Sequence, residues 1–394
     1  MYISSFAISG YRSLKNVNIP KMLQVCIFHG LNNSGKSNIL SAIETIFRRK
    51  LVVEETTIDQ TTKIEQVTKH EREGNFWKGR IIGFRDNFYL NGKKDIKFSV
   101  SVTFSDDELI PFREIMEHLK PFLAKAGHDK ILQLDGKIKY IDDDSAEMLL
   151  ERAVFNKHYV VFQMAGSSKT GFFPEVKVLK EQDRFAQFEK LMDLLADSFA
   201  LLPSDRYLTS EQMAPASTNR PTLTPKTFKQ WLFMLDLNRY DHEAFEEIKT
   251  MFATTPFSFG DIGFSKEQED IEIMVKEINV RLPISRLGSG HQQILYIIAN
   301  LVLNKKKMMG IEELEINLSP KAQKMVFEKL KHHIYNSSDL VSQIIITSHS
   351  DYFEGRTDVC RYSVKHDGNE TIVEPLTEAA WKGFFPHTSK KFLL

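Results

Sequence analysis

The stretch "HGLNNSGKSNIL" (29–40) decides how this chain is read. Gly30-Leu-Asn-Asn-Ser-Gly35-Lys36-Ser37 fills G-x-x-x-x-G-K-[ST] at every position, and the flanks fit it. The apolar run "LQVCIF" (23–28) precedes it as a strand, and "KSNILSAIETIFRR" (36–49) follows it with helical spacing. Strand, glycine-punctuated turn and helix form the setting in which such a match becomes a phosphate site. The glycines let successive N–H groups turn toward an anion, and the helix start adds its positive end. In that arrangement Lys36 reaches the β- and γ-phosphates and the Ser37 hydroxyl ligates Mg²⁺. The competing reading, a turn that matches by chance, loses weight to those flanks.

The remaining composition bounds the class. The chain has 394 residues, 42% of them hydrophobic, enough for more than one lobe. Lys+Arg and Asp+Glu are both 52, so any nucleic-acid contact would need a local patch. Two cysteines, Cys26 and Cys360, with no CxxC pair, exclude a disulfide scaffold and a thiolate zinc site and fit a reducing compartment. The opening "MYISSFAISGYRSLKN" reads as an alternating strand, not a leader, and no apolar run approaches a membrane span. A cytoplasmic protein without membrane contact is expected.

Along the chain, residues 2–8 read as a strand and the polar stretch 50–75 as an exposed connector. "GRIIGF" and "KFSVSVTF" alternate as half-buried strands, and 105–127 has the acidic start of a helix at Ser105. Strands return in "KIKYID" and "HYVVFQM", a helix is expected over 181–200, and "ALLPSDRYL" leaves its sheet at Pro203. The Ser/Thr/Pro-rich 208–225 is a linker, and "KTFKQWLFMLDLNRYDHEAFEEIKTMFA" a helical arm whose aromatics pack rather than stack on bases. "DIEIMVKEINVRLPIS" alternates like one long strand, and helix, strand, helix, strand follow. The segmentation is 1–106, an N-terminal lobe with the phosphate loop; 107–206, a β/α insertion; 207–269, the helical arm; and 270–394, a C-terminal lobe.

Hydrolysis needs more than a phosphate loop: an acid for the Mg²⁺ shell and a group to orient water. "KMMGIEELEINLSP" (307–320) ends a short apolar run in Glu312-Glu313, adjacent carboxylates that a strand end points to opposite sides. The alternative is an acidic helix start over 312–315. "SQIIITSHSDYF" (342–353) places His349 among small hydroxyls at a strand tip, suited to a phosphate oxygen or to a structural role. In "ISRLGSGHQQILYII" (284–298) two glycines flank Ser289 before an apolar helix, a second helix start facing an anion.

The order of these pieces resembles the ABC-type ATPase heads of the SMC/RecF/OLD group, whose two halves are also separated by a long insertion. "FAISGYRSLKNVNI" looks like that group's first strand and Arg-Ser turn. The resemblance implies an α/β P-loop NTPase, a two-lobed ABC-type head with a mixed β-sheet and a helical arm, using ATP and Mg²⁺. Gly30, Asn32, Asn33, Ser34, Gly35, Lys36, Ser37 and Asn38 would bind the nucleotide, with Arg12 as the nearby basic residue. Ser37 and Glu312 would hold the metal, with Glu313, His349 and Lys36 as the catalytic set. "LGSGHQ" looks like the signature motif, with Ser289 and Gly290 contacting ATP on a second subunit, so the implied unit is a homodimer or higher homo-oligomer. Gly288 stands where the commonest signature has Ser, Leu314 where Glu-Glu-Pro-Glu has proline, and no Gln in 80–106 supplies a Q-loop.

"GLNNSGKSNIL" is most like the OLD-type ATPases, many of which carry a Toprim nuclease after the histidine. Here Asp351, Glu354, Asp358 and Asp367 follow His349 in no Asp-x-Asp pattern, so a Toprim domain is not expected. Stand-alone heads of this kind look similar to the ATPases of PARIS- and Septu-type anti-phage systems. The implied function is a regulatory ATPase controlling a separate effector, a nuclease or toxin. The alternative is a RecF-like ATPase clamping DNA, for which Lys305-Lys306-Lys307, "KHEREGNFWKGR" (69–80) and "TSKKFLL" are the basic candidates. An ABC transporter subunit fits poorly, because its motifs lie much closer together.

Overall fold

The structure is a computed structural model of the chain. It describes residues 1–47, 51–58, 65–72, 80–82, 87–88, 94–105, 108, 130–142, 145–155, 162–164, 174–175, 194–195, 198–206, 208, 223–238, 241–254, 257–267, 270–277, 279–305, 307–336, 341–350, 352 and 359–376. The chain divides into two compact units, Met1–Leu201 with Gly355–Leu394, and Leu202–Glu354.

Unit one holds an antiparallel sheet and a smaller mixed one. β1 (Tyr2–Tyr11) runs between β2 (Leu14–Ile19) and β7 (Ile96–Phe104), and β8 (Lys130–Asp142) and β9 (Ser145–Phe155) extend the sheet. Alternation drives this: Ile3, Phe6, Ile8, Ile96, Phe98, Val100 and Val102 all turn inward and are buried. β6 (Arg80–Ile82) pairs on β9, as does β10 (Phe162–Met164), which in turn pairs with β11 (Pro174–Glu175). β4 (Leu51–Ile58) and β5 (Glu65–Arg72) form an antiparallel hairpin where the sequence reading placed a connector. Val52, Val53, Thr56, Thr57 and Val67 give it β-branched residues that a count of large apolar anchors overlooks.

β3 (Val25–His29) is buried throughout and pairs in parallel with β18 (Cys360–His366), which pairs antiparallel with β19 (Thr371–Pro375). Strand β3 feeds α1 (Lys36–Phe47), whose Ile39, Leu40, Ile43, Ile46 and Phe47 lie at helical spacing and are buried. Cys26 and Cys360, both free thiols, are register partners across β3 and β18.

Unit two packs helices on short strands. The expected arm is two helices, α2 (Phe228–Leu237) and α3 (His242–Ala253); Phe228, Phe245 and Phe252 are buried and Phe245 stacks near Phe264, so packing is the role of these rings. The single long strand expected at 270–285 is a hairpin, β14 (Asp270–Glu277) with β15 (Val280–Pro283), and β13 (Asp261–Glu267) completes the sheet. The break falls between Glu277 and Val280, where Ile278 continues the alternation and gives no stop signal. Then come α4 (Ser289–Leu303), β16 (Met308–Ile311), α5 (Pro320–Asn336) and β17 (Gln343–Ser348), with β16 and β17 parallel. β12 (Phe199–Leu202) ends at Pro203 as expected. The expected helix at 105–127, most of that at 181–200 and the linker at 208–225 fall largely outside the described residues.

Candidate nucleotide site

In unit one the phosphate loop leaves β3 and enters α1 at Lys36. Two glycines are required by contact. A Cβ on Gly30 would sit 2.1 Å from the Val364 carbonyl oxygen, and one on Gly35 2.1 Å from Thr371 Oγ1. Gly35 also has φ +98° and Asn33 φ +62°, left-handed values that turn the loop back on itself. The Lys36 ammonium is buried in the loop and donates to the carbonyls of Gly30 at 2.7 Å and Leu31 at 2.8 Å. Leu31, Asn32, Asn33 and Ser37 are exposed along the rim.

A hydroxyl network fastens this loop. Thr371 Oγ1 donates to the Ser34 carbonyl at 3.2 Å and lies 2.7 Å from Ser13 Oγ, while the Thr371 N–H donates to the Ser13 carbonyl. Asn38 Nδ2 donates to Ser13 Oγ at 2.7 Å, and Arg12 reaches Asn38 Oδ1 at 3.4 Å and Asn87 Oδ1 at 2.8 Å. Arg12 itself has φ +46°, so the turn after β1 is held in a strained form that aims its guanidinium at the start of α1. The structure therefore brings Arg12 and residues 30–38 together. Thr371 and Ser13, which fasten them, carry no sequence signal beyond hydroxyls near strand ends.

The loop fits a nucleotide phosphate on its own evidence. Asn33 and Gly35 hold the left-handed values that wrap the loop, and the Ser34 hydroxyl is buried with no hydrogen-bond partner among the described residues. The exposed Ser37 hydroxyl at the start of α1 suits a hard cation beside that phosphate. No group of three or more His, Cys, Asp or Glu side chains that could hold a metal ion occurs among the described residues.

Unit two carries the acids. β16 ends at Ile311, and the turn that follows is no helix start: the next helix begins at Pro320. Glu313 has φ +44°, uncommon for a residue with a Cβ. Its N–H donates to Thr347 Oγ1 at 3.1 Å, and the Glu312 carboxylate accepts from the Ser204 N–H at 3.3 Å. His349 follows β17; its Nδ1 is 3.0 Å from Glu315 Oε1, and its N–H donates to the same oxygen at 2.6 Å. Glu315 is buried, and in the sequence an acid four residues past an apolar run is not distinguished from the start of a helix. Ser289 opens α4 with Gly288 as its cap, and a Cβ on Gly290 would come 3.1 Å from the Asn317 carbonyl. Ser289, Gly290, Glu312, Glu313 and His349 therefore belong to unit two, and Arg12 with residues 30–38 to unit one.

Phosphate loop, acid turn and mixed sheet define an α/β P-loop ATPase head of the ABC type, built like the heads of SMC proteins. The chain belongs to the AAA ATPase domain family, whose sequence pattern it matches over residues 1–255 and 225–353. An "ATP/GTP phosphatase" of Helicobacter pylori is 20% identical over 363 residues, covering 89% of this chain and 86% of that protein. Among solved structures, an SMC head bound to the winged-helix domain of ScpA aligns with TM-score 0.52 at 14% identity, over 96% of this chain and 99% of that one. An SMC head with an extended coiled coil, bound to the C-terminal domain of ScpA from Pyrococcus furiosus, aligns with TM-score 0.50 at 11% identity, over 98% of each chain. The protein is an ATPase.

Proposed function

We propose that this ATPase assembles head to head around ATP, as a homodimer or larger homo-oligomer, and that ATP turnover controls a separately encoded effector. Lys36 and the loop N–H groups hold the phosphates, Ser37 and Glu312 hold Mg²⁺, and Ser289 and Gly290 contact the nucleotide of a second copy. Bound Mg²⁺ supplies charge neutralisation at the phosphates. Glu313 orients and polarises the attacking water, and His349 donates to a phosphate oxygen. The observation that supports these roles best is the Glu313 turn. A carboxylate residue stays in a left-handed conformation only where its surroundings hold it there, and such strain clusters at working sites.

The effector reading, with a nuclease or toxin as the controlled protein and anti-phage defence in the cytoplasm as the setting, rests on the likeness of "GLNNSGKSNIL" to stand-alone OLD-type heads. No helix among the described residues is long and apolar enough to cross a membrane. The RecF-like alternative, DNA held by basic patches, gains little. Lys305, in the most compact basic run, is paired with Glu247 at 2.6 Å, and the formal net charge of the chain is zero.

Light scattering with and without ATP·Mg²⁺, on wild type and Glu313→Gln, tests the assembly. A larger species trapped by ATP in Glu313→Gln supports it, and a mass indifferent to ATP in both proteins contradicts it. Adding duplex DNA across a salt series separates the two readings: a steep fall of affinity with salt favours the DNA clamp.

A further inference from the structure

Arg206 is the largest fully buried side chain among the described residues, at 0% exposure, and it takes no part in the roles above. It lies just past the end of β12, in the segment that leaves the sheet at Pro203. Its guanidinium makes four hydrogen bonds: Nη1 donates to the carbonyls of Pro203 at 2.7 Å and Glu312 at 2.6 Å, and Nη2 to the Glu313 carbonyl at 3.0 Å and Gln293 Oε1 at 3.2 Å. Two of these partners are the backbone of the acid pair itself. The fourth is a buried side chain on α4, one helical turn past Ser289.

We infer that Arg206 is a positioning residue for hydrolysis: it holds the Glu312-Glu313 turn in its strained conformation and ties that turn to the first turns of α4. The inference rests on the proposed roles of Glu313 and Ser289.

The geometry needs a planar fork. Two adjacent carbonyls, a third carbonyl and an amide oxygen are met from one plane by two nitrogens, which an ammonium on a flexible stem cannot reproduce. Among the described residues the turn's other hydrogen bonds are the Glu312 N–H to the Leu202 carbonyl at 2.9 Å, the Ser204 N–H to the Glu312 carboxylate at 3.3 Å, the Glu313 N–H to Thr347 Oγ1 at 3.1 Å and the Ile316 N–H to the Glu313 carbonyl at 3.1 Å. None of these donors joins the two carbonyls of the pair, as Arg206 does. Removing the guanidinium takes a donor from the part-buried carbonyls of Pro203, Glu312 and Glu313, the last keeping the Ile316 N–H, and the left-handed residue then relaxes. Through Gln293, a shift of α4 when its N-terminus meets a nucleotide reaches the backbone of Glu313.

The test is steady-state ATP hydrolysis by the full chain, with kcat and KM resolved, for Arg206→Ala, Gln293→Ala and the double variant. Nucleotide affinity is followed separately with a fluorescent ATP analogue. Arg206→Ala is expected to lower kcat by about tenfold or more while KM and analogue affinity change by less than about threefold, the mark of an interaction that matters for the chemical step. Millimolar guanidinium should restore part of that kcat. Gln293→Ala should lower kcat about two- to fivefold, and the double variant should lose no more than Arg206→Ala alone, because the two act through one linkage. Unchanged kcat in Arg206→Ala, or fully additive losses, overturns the inference. If Arg206→Ala fails to fold, Gln293→Ala decides: a lowered kcat with unchanged affinity supports the linkage, and wild-type kcat overturns it. Glu313→Gln in the same assay separates the two levels. Wild-type turnover in Glu313→Gln removes the underlying reading, whereas a dead Glu313→Gln beside fully active Arg206 and Gln293 variants removes only the linkage.

Discussion

Glu315 Oε1 accepts the backbone N–H of His349 at 2.6 Å and lies 3.0 Å from its ring Nδ1, so one buried carboxylate oxygen holds both the backbone and the ring of a half-exposed histidine. With Nδ1 facing Glu315, Nε2 is left for the solvent side, where it donates to a phosphate oxygen when the ring carries both protons. The dyad gives the histidine at the strand tip a defined orientation that its neighbours Ser348 and Ser350 alone would not impose.

Glu315→Ala is therefore expected to lower ATP turnover roughly 10–100-fold, the rate equivalent of the ~1.5–3 kcal/mol that a charge-assisted hydrogen bond contributes. Glu315→Gln keeps an acceptor oxygen and should lose less. Turnover assays check the order, and imidazole ¹⁵N shifts of His349 report whether Nδ1 loses its proton.

Gly35→Ala places a methyl 2.1 Å from Thr371 Oγ1 at a residue with φ +98°, so strain and clash coincide. A stability loss of about 2–4 kcal/mol and a large loss of ATP affinity are expected. Adding Thr371→Ala removes the side-chain clash but not the backbone strain, so thermal melting should recover only in part.

His333 lies on α5 with both ring nitrogens occluded and without hydrogen-bond partners among the described residues. Burial, then Lys329 and His332, pull its pKa from the ordinary 6.5 to about 4. The unfolded chain takes up this proton as pH falls through 6.5, and the folded chain does so only near 4. Stability from this site is thus complete above the unfolded value and is lost as pH falls across that window. Because His333 is only partly buried, solvent screening limits the loss to about 1 kcal/mol. Between pH 7.5 and 5 the melting temperature of wild type should fall further than that of His333→Leu; an equal fall in both proteins contradicts the assignment.

The phosphate loop was legible in the sequence because its chemistry is local: glycines, lysine and serine at fixed spacing, flanked by a strand and a helix. Glu312-Glu313 and His349 were legible only as strand-end residues, and the acid pair was ambiguous with a helix start until the turn with φ +44° at Glu313 resolved it. Arg206, Glu315 and Thr371 were illegible because their partners lie far along the chain: Arg206 meets Glu312 across 106 residues, and Thr371 meets Ser34 across 337. Burial of a charge is a tertiary fact, and nothing in "LLPSDRYL" distinguishes a buried arginine from a solvated one. The β4–β5 hairpin was missed for the opposite reason, since its strands are polar and mark themselves by branching rather than hydrophobicity.

The most direct measurement of the central claim is ATP turnover and ATP affinity in one preparation of Glu313→Gln beside wild type. The account predicts turnover reduced by about 100-fold or more with affinity within about threefold, since the loop that binds the phosphates is untouched while the group that orients water is gone. Undiminished turnover in Glu313→Gln, with ATP still bound, would contradict the assignment of the acid turn.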